Sequence, residues 1–212
     1  VTEFLAEKTR QKAGVPAGQA GMWIEPEEYP TAEHTDHELR AVTLTNAGYR
    51  RKIWPIIEWA PVVESVLADV GGEWRVYGDG DQAMALREGL HVYDHVQYAG
   101  YTDSPKDELA WANLMLHPSD LDGQPNAVLE GLASALPVVT TDFIAFEEWQ
   151  RNGAPILPVS NPGAVRDELN LLLDPPTRDL IGESGRQFAV ENHNPERIGQ
   201  QYKQFLHRVV DQ

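Results

Sequence analysis

The stretch that decides the fold is His117-Pro-Ser-Asp-Leu-Asp-Gly-Gln-Pro-Asn-Ala-Val-Leu-Glu-Gly-Leu-Ala-Ser-Ala-Leu-Pro-Val-Val-Thr-Thr141, which passes from a strand through a loop and a helix into another strand. The apolar residues 114–116 end a short buried strand, and residues 118–124 form a polar loop. Pro125 suits the first turn of a helix, because the N–H that it lacks has no partner there. We therefore predict a helix that begins near Pro125 and ends at about Ser134.

The junction between this loop and this helix has the character of an anion site. The first N–H groups of a helix have no intrahelical partners and lie at the positive end of the helix dipole. Gly123 has no side chain, so a ligand can approach its backbone closely. A phosphate group fits such a position.

The segment from Asp122 to Glu130 resembles the E-x7-E segment of retaining, nucleotide-sugar-dependent glycosyltransferases with the two-domain GT-B fold, often written E-G-x-P-N-x-x-L-E-A. Glu130 stands at the second Glu, and Asp122, one methylene shorter, replaces the first. The interior positions are matched by Gly123, Pro125, Asn126 and Leu129. The resemblance implies that Asp122 orients the donor sugar and that Glu130 accepts hydrogen bonds from the ribose. In the alternative reading, Asp122 is an ordinary residue at a helix N-terminus and Glu130 a solvated helix residue.

A second part of the resemblance concerns the only run of three adjacent basic residues, Arg50-Arg51-Lys52. Lys52 matches the Lys of the family's G-R-x-x-x-x-K-G segment, which contacts the donor diphosphate. Asn46-Ala47 stands where the family has Gly-Arg, so we expect Arg50 or Arg51 to replace the missing cation. The alternative is a solvated helix start, where like charges oppose the dipole at a cost of a few tenths of a kcal/mol.

Other loops carry weaker signals. Gly78-Asp-Gly80 follows a predicted strand, and its glycines suit either a nucleotide-binding turn or a tight turn with positive φ. A further strand is predicted over Val92–Ala99, and residues 96–100, at its end, resemble the family's V-x-F-x-G. Tyr101 comes next, where an aromatic ring can stack on a base or be simply half-buried.

About six strands alternate with helices over residues 41–190, which predicts an α/β, Rossmann-like parallel sheet with helices on both faces, equivalent to one half of a GT-B fold. The loops at the carboxyl ends of its strands are expected to meet at one edge. Within this pattern, Pro61 is expected to kink or divide the helix predicted over residues 53–69. The donor-binding residues of the loop and helix described above are then Ser119, Gly123, Gln124, Pro125, Asn126, Ala127 and Val128.

The chain divides into three parts in this reading. Residues 15–30 resemble the segment through which the family's chain leaves its amino-terminal domain, so residues 1–38 are predicted to be the end of a missing domain and a linker. Residues 39–191 form the nucleotide-sugar-binding domain, and 192–212 form a C-terminal helix. His193 is expected to take part in a helix cap.

Composition excludes several classes of protein. The 212 residues carry a net charge of −16, which argues against nucleic acid as a partner. There is no cysteine, no apolar run long enough to span a membrane and no signal-peptide pattern, so the expected location is the cytoplasm. His34 and His37 are read as solvated loop residues, and we predict neither a metal nor a cofactor.

Together these expectations predict the donor-binding domain of a glycosyltransferase. The enzyme would transfer a sugar from a nucleotide-diphosphate sugar to an acceptor, with retention and without a metal ion. Asp122 and Lys52 are the predicted catalytic residues. The acceptor is unknown, and its recognition belongs to an amino-terminal domain or a partner chain. Two alternatives are a non-catalytic nucleotide-sugar-binding or scaffold module and a sugar-nucleotide epimerase of GT-B architecture.

Overall fold

The computed structural model of the chain describes residues 3–13, 21–31, 38–123 and 125–210. Six parallel strands form one sheet in the order β3-β2-β1-β4-β5-β6. The strands are β1 (Leu39–Leu44), β2 (Gly72–Tyr77), β3 (Val96–Gly100), β4 (Leu114–His117), β5 (Val138–Thr141) and β6 (Ile156–Val159). The predicted Rossmann-like parallel sheet is confirmed.

The helices of the described ranges alternate with these strands and extend beyond them at both ends. They are α1 (Glu3–Ala13), α2 (Arg50–Val70), α3 (Ala83–Leu90), α4 (Pro105–Trp111), α5 (Asn126–Ala133), α6 (Ile144–Arg151), α7 (Val165–Leu171), α8 (Pro175–Asn192) and α9 (Pro195–Val210). Short 3-10 turns occupy Pro26–Glu28 and Pro162–Ala164. None of the helices described is long and apolar enough to cross a bilayer.

Successive residues of a strand point to opposite faces of the sheet, and here both faces are apolar, so helices cover both of them. Ala41 belongs to a core that also contains buried residues of α2, α3 and α7. Its neighbour Val42 belongs to a second core, with buried residues of α4, α5, α6 and α8. The side chains of the central strand β4 alternate in the same way: Leu114 and Leu116 lie in the first core and Met115 lies in the second.

Two predicted elements differ from the structure. Strand β3 begins at Val96 instead of Val92, because the amides of Asp94 and His95 donate to the carboxylate of Glu64, at 3.2 and 2.9 Å. Helix α2 begins at Arg50, and Pro61 does not divide it. Its buried stripe on the first core continues on both sides of the proline, so tertiary packing outweighs one missing helical hydrogen bond.

The segment of residues 21–31 packs on the domain. The side chain of Ile24 is buried in the second core, and its N–H donates to the carbonyl of His193 at 2.8 Å. His193 is the C-cap of α8, as the sequence suggested, and its Nδ1 lies 2.9 Å from the carbonyl of Met22. His34 and His37 lie outside the described residues.

Candidate functional site

The order of the strands creates one crevice at the centre of the sheet. From β1 the chain moves outward to β2 and β3, whereas β4, on the other side of β1, leads to β5 and β6. Ligands of open α/β sheets bind outside the carboxyl ends of the strands at such a reversal point. Here the loop after β1 leads into α2 and the loop after β4 leads towards α5, so the two predicted phosphate-binding segments face each other across the crevice.

The two predicted catalytic residues form an ion pair at this crevice. Lys52, in the first turn of α2, donates from Nζ to Oδ1 of Asp122. The other carboxylate oxygen, Oδ2, lies 3.0 Å from Nε2 of His117, the last residue of β4. The side chain of Asp122 is 4% exposed and that of Lys52 is 18% exposed. The Lys52 side chain is therefore the more accessible of the two.

The environment of Asp122 keeps its carboxyl group ionised. Burial alone raises the pKa of this group, but hydrogen bonds from His117, Lys52 and Ser119 outweigh it and lower the pKa to about 2. Sequence reasoning assigned no role to His117. The available signal was its position, because it is a polar residue that ends an apolar strand directly before the polar loop.

Ser119 holds the loop after β4 against the next strand. Its side chain is 1% exposed, and its N–H donates to Oγ1 of Thr141 at 3.1 Å. The Thr141 hydroxyl in turn donates to the carbonyl of Ser119 at 2.5 Å. Ser119 therefore acts on the site through the shape of the loop and through its bond to Asp122.

Helix α5 begins at Asn126, close to the predicted start, and Pro125 is its extended N-cap residue and not, as predicted, part of its first turn. The amides of Asn126, Ala127 and Val128 belong to the first turn, where a helix supplies no acceptors. Gly123 lies in the preceding loop. Gln124, which was also predicted to contact the donor, lies outside the described residues.

Glu130 lines a cavity of about 370 Å³ beside this helix start. The other lining residues come from the helix, the segment before β1 and α9: Gly21, Met22, Trp23, Ile24, Tyr29, Asn126, Leu129 and Tyr202. Burial raises the pKa of Glu130, and a hydrogen bond from Tyr29 and the charge of Lys106 partly offset that rise. Burial, with a smaller effect from Glu130, raises the pKa of Tyr29 to about 12. Glu130 is thus a half-buried carboxyl group at a cavity, and Tyr29 is a neighbour that sequence reasoning missed.

The remaining cations of the basic run are exposed on α2. The guanidinium of Arg50 lies 4.7 Å from the ring centroid of Trp54, and Arg51 is exposed beside it. Ala47, which stands at the position that the resemblance assigns to a second cation, is fully buried, and its N–H donates to the carbonyl of Asp79.

The two glycines of Gly78-Asp-Gly80 allow the loop after β2 to touch the loop after β1. A Cβ on Gly78 would lie 2.3 Å from the carbonyl oxygen of Thr45. Gly80 has φ +142°, and a Cβ there would lie 2.5 Å from the backbone nitrogen of Gly48. Tyr101 follows β3 at the same edge of the sheet and is 70% exposed.

The structure therefore brings most predicted residues to one edge, while Glu130 opens onto the adjoining cavity. Among the residues described, no group of three or more His, Cys, Asp or Glu side chains is arranged to hold a metal ion.

Comparison with known proteins finds similarity to glycosyltransferases, as the chain's resemblance to that family implied. The family model of glycosyl transferases group 1 matches residues 54–175. A putative glycosyltransferase, ORF31, of a virus (isolate Australia/Victoria) is 35% identical over 194 residues, covering 92% of this chain and 60% of its own length. The N-acetyl-alpha-D-glucosaminyl L-malate synthase of Bacillus anthracis is 25% identical over 166 residues, covering 76% of this chain and 44% of its own length.

A solved structure has the same fold. It is a mutant of S. aureus TarM in complex with fondaparinux, alpha-GlcNAc-glycerol and UDP, with a TM-score of 0.79 and 20% identity. The match covers 97% of this chain and 42% of TarM. The chain thus spans less than two thirds of the length of the relatives that it matches.

Proposed function

The chain belongs to the glycosyl transferases group 1, and from this premise we propose that it binds the nucleotide-diphosphate sugar donor of a retaining, metal-independent glycosyltransferase. The observation that carries the proposal is the contact of Lys52 with Asp122 at the crevice between β1 and β4. It joins the two segments that the resemblance assigns to the diphosphate and to the sugar.

The diphosphate is assigned to Lys52 and to the first-turn amides of α5. A chain with a net charge of −16 repels an anion at long range, so binding depends on local positive groups. The Lys52 ammonium has three donors, and Asp122 uses one of them. Its other donors remain available to a phosphate without loss of the ion pair.

The ribose is assigned to Glu130. This carboxylate lies at the cavity wall and has two oxygens that can accept from adjacent hydroxyl groups. Tyr29 lies next to it, so the bound ribose either shares the carboxylate with the tyrosine hydroxyl or displaces it.

The chemistry proposed for these groups is stabilisation of the leaving diphosphate. Fixed cations and helix N-terminal amides stabilise charge that develops as the bond to the sugar breaks, and they do this without a metal ion. Retention is proposed from the resemblance of the segment Asp122 to Glu130 to the E-x7-E segment of retaining enzymes.

Recognition of the acceptor is assigned to another part of the protein. The chain corresponds to 60% of the viral relative and 44% of the bacterial one, so each relative contains further sequence. We propose that an amino-terminal domain or a partner chain supplies the acceptor site and that this chain supplies the donor site.

Calorimetric titration of the 212-residue chain with UDP, GDP and ADP, and with the corresponding nucleosides, tests this proposal. Replacing Lys52 by Ala is expected to weaken binding of the preferred diphosphate by about ten- to a hundredfold, the value of a charge-assisted hydrogen bond, with little change for the nucleoside. Arg50→Ala and Arg51→Ala identify the cation that replaces the missing family Arg. Arg197→Ala, at the exposed start of α9, is the control for loss of one positive charge.

If none of the three diphosphates binds, the proposal is wrong. If a diphosphate binds equally to wild type and Lys52→Ala, the crevice is not its site. Binding without sugar transfer by the longer protein would identify the chain as the non-catalytic module that was the alternative interpretation.

A further inference from the structure

Helix α2 contains two prolines, Pro55 and Pro61. Proline has no N–H, so the carbonyl four residues earlier loses its helical donor. Pro55 in this way releases the carbonyl of Arg51, and Pro61 releases that of Ile57. Pro55 is buried, whereas Pro61 is exposed.

The released carbonyl of Arg51 has a partner in another element. The N–H of Asp120, in the loop after β4, donates to it at 3.0 Å. The neighbouring residues, Lys52 on the helix and Asp122 on the loop, form the ion pair described above. Helix and loop are thus joined at two adjacent points, one through the backbone and one through side chains.

The second proline supplies a natural comparison. Across the described ranges, no backbone N–H from outside α2 donates to the carbonyl of Ile57. A proline inside this helix therefore does not by itself attract an outside donor. The bond to Arg51 depends on where Pro55 lies, one turn after the residues that face the crevice.

We propose that Pro55 is a positioning residue of the donor site, because it keeps the Arg51 carbonyl available to fasten the loop after β4 to the first turn of α2. Any other residue at position 55 brings an N–H that competes for this carbonyl within the helix. The loop then loses its backbone bond to α2 and keeps only the Lys52–Asp122 ion pair of the two contacts described above. The consequence for ligand binding rests on the proposed function, but the fastening itself does not.

Hydrogen exchange followed by NMR tests the fastening without any ligand. In the wild-type chain, the Asp120 amide is expected to exchange slowly although its residue is an exposed loop residue. In Pro55→Ala it is expected to exchange roughly three- to tenfold faster, the factor that corresponds to one net hydrogen bond. In Pro61→Ala its rate is expected to be unchanged. Fast exchange in the wild type, or equal rates in wild type and Pro55→Ala, would overturn the proposal.

Titration with UDP, GDP and ADP then tests the role in the site. Pro55→Ala is expected to weaken binding of the preferred diphosphate about three- to tenfold, while Pro61→Ala binds as the wild type does. If the Asp120 amide exchanges faster in Pro55→Ala but the affinity for the diphosphate is unchanged, the positioning role is refuted and the proposed function is left intact. If no diphosphate binds to the wild type, the proposed function and the positioning role both fail, and the exchange rates still decide whether Pro55 fastens the loop.

Discussion

The Nε2 atom of His117 lies 3.0 Å from Oδ2 of Asp122, and both side chains are 4% exposed. His117 ends strand β4 and packs edge-to-face with Phe146, with ring centroids 6.1 Å apart. The imidazole therefore has a fixed position, and it holds the Asp122 carboxylate, which is one methylene shorter than the glutamate that the resemblance leads one to expect. Lys52 contacts the other carboxylate oxygen, so Asp122 connects the first turn of α2 to the end of β4.

The first prediction concerns the pH dependence of stability. The pKa of Asp122 is lowered in the folded state from its ordinary value of 3.8 to about 2, so its ionised form favours folding. This contribution is complete above about pH 5 and is lost progressively as the pH falls to 2 and below, and it amounts to roughly 2 kcal/mol. Urea unfolding of wild type and Asp122→Asn between pH 2 and pH 6 measures it as the difference between the two proteins.

The difference is expected to be largest at pH 6 and to shrink below pH 4. The other carboxyl groups of the chain titrate in both proteins and cancel in the comparison. A constant difference across the whole range would show that the carboxylate is not stabilised by its neighbours. His117→Leu provides a second test, because it removes one of these hydrogen bonds and should raise the Asp122 pKa measured by carboxyl NMR.

The second prediction concerns Glu130 and the ribose. Burial raises the pKa of this group, so its ionised form opposes folding, and Glu130→Gln should not destabilise the chain at neutral pH. Binding of the preferred ribonucleoside diphosphate should weaken by roughly 1–3 kcal/mol, because a carboxylate that accepts from two hydroxyls is lost. Calorimetry with the ribonucleotide and its 2′,3′-dideoxy analogue measures this effect.

The loss should be smaller for the dideoxy analogue, which has no hydroxyl groups to donate. Glu147→Gln, on the exposed side of α6, removes the same charge away from the cavity and should leave both affinities unchanged. If the ratio of the affinities for the ribonucleotide and the dideoxy analogue is the same in Glu130→Gln as in the wild type, Glu130 does not bind the ribose.

The third prediction concerns the glycine contact between two loops at the crevice. Gly78→Ala places a Cβ 2.3 Å from the carbonyl oxygen of Thr45, so a backbone segment must move. We expect a loss of about 2 kcal/mol or more in the free energy of unfolding. Gly199→Ala, within α9, meets nothing within 4 Å and should be neutral or stabilising by up to about 1 kcal/mol. Chemical denaturation of both variants gives the comparison, and equal stabilities would contradict the close approach.

The fourth prediction concerns Tyr101. Its side chain is 70% exposed, so Tyr101→Ala should change the free energy of unfolding by less than about 0.5 kcal/mol. If the ring stacks on the donor base, the variant should lose about 0.5–1.5 kcal/mol of nucleotide affinity in a calorimetric titration, and Tyr101→Phe should retain it. Leu180→Ala removes an exposed apolar side chain from α8, away from the crevice, and serves as the control. Unchanged affinity of Tyr101→Ala would exclude stacking.

Much of the fold was predictable because it depends on local patterns. Apolar strands that alternate with amphipathic helices predict a parallel sheet with two covered faces, and the structure has that sheet in six strands. The family was predicted from the resemblance of the segment from Asp122 to Glu130 to a known family motif, and the family model matches residues 54–175, which include this segment. The start of β3 was misplaced, because the Glu64 carboxylate that binds the amides before it lies about thirty residues earlier in the chain.

The arrangement of the site depended on tertiary structure. Lys52 and Asp122 are 70 residues apart in sequence, and only the reversal between β1 and β4 makes their loops neighbours. The same holds for Tyr29 beside Glu130 and for Asp120 on the carbonyl that Pro55 releases. Each residue's chemistry was visible in the sequence, whereas its partner was not, because long-range pairing is set by packing of whole elements and not by local spacing. The sequence by itself therefore determined the family, the sheet and the candidate groups, and the tertiary structure decided which of those groups touch and how each one is charged.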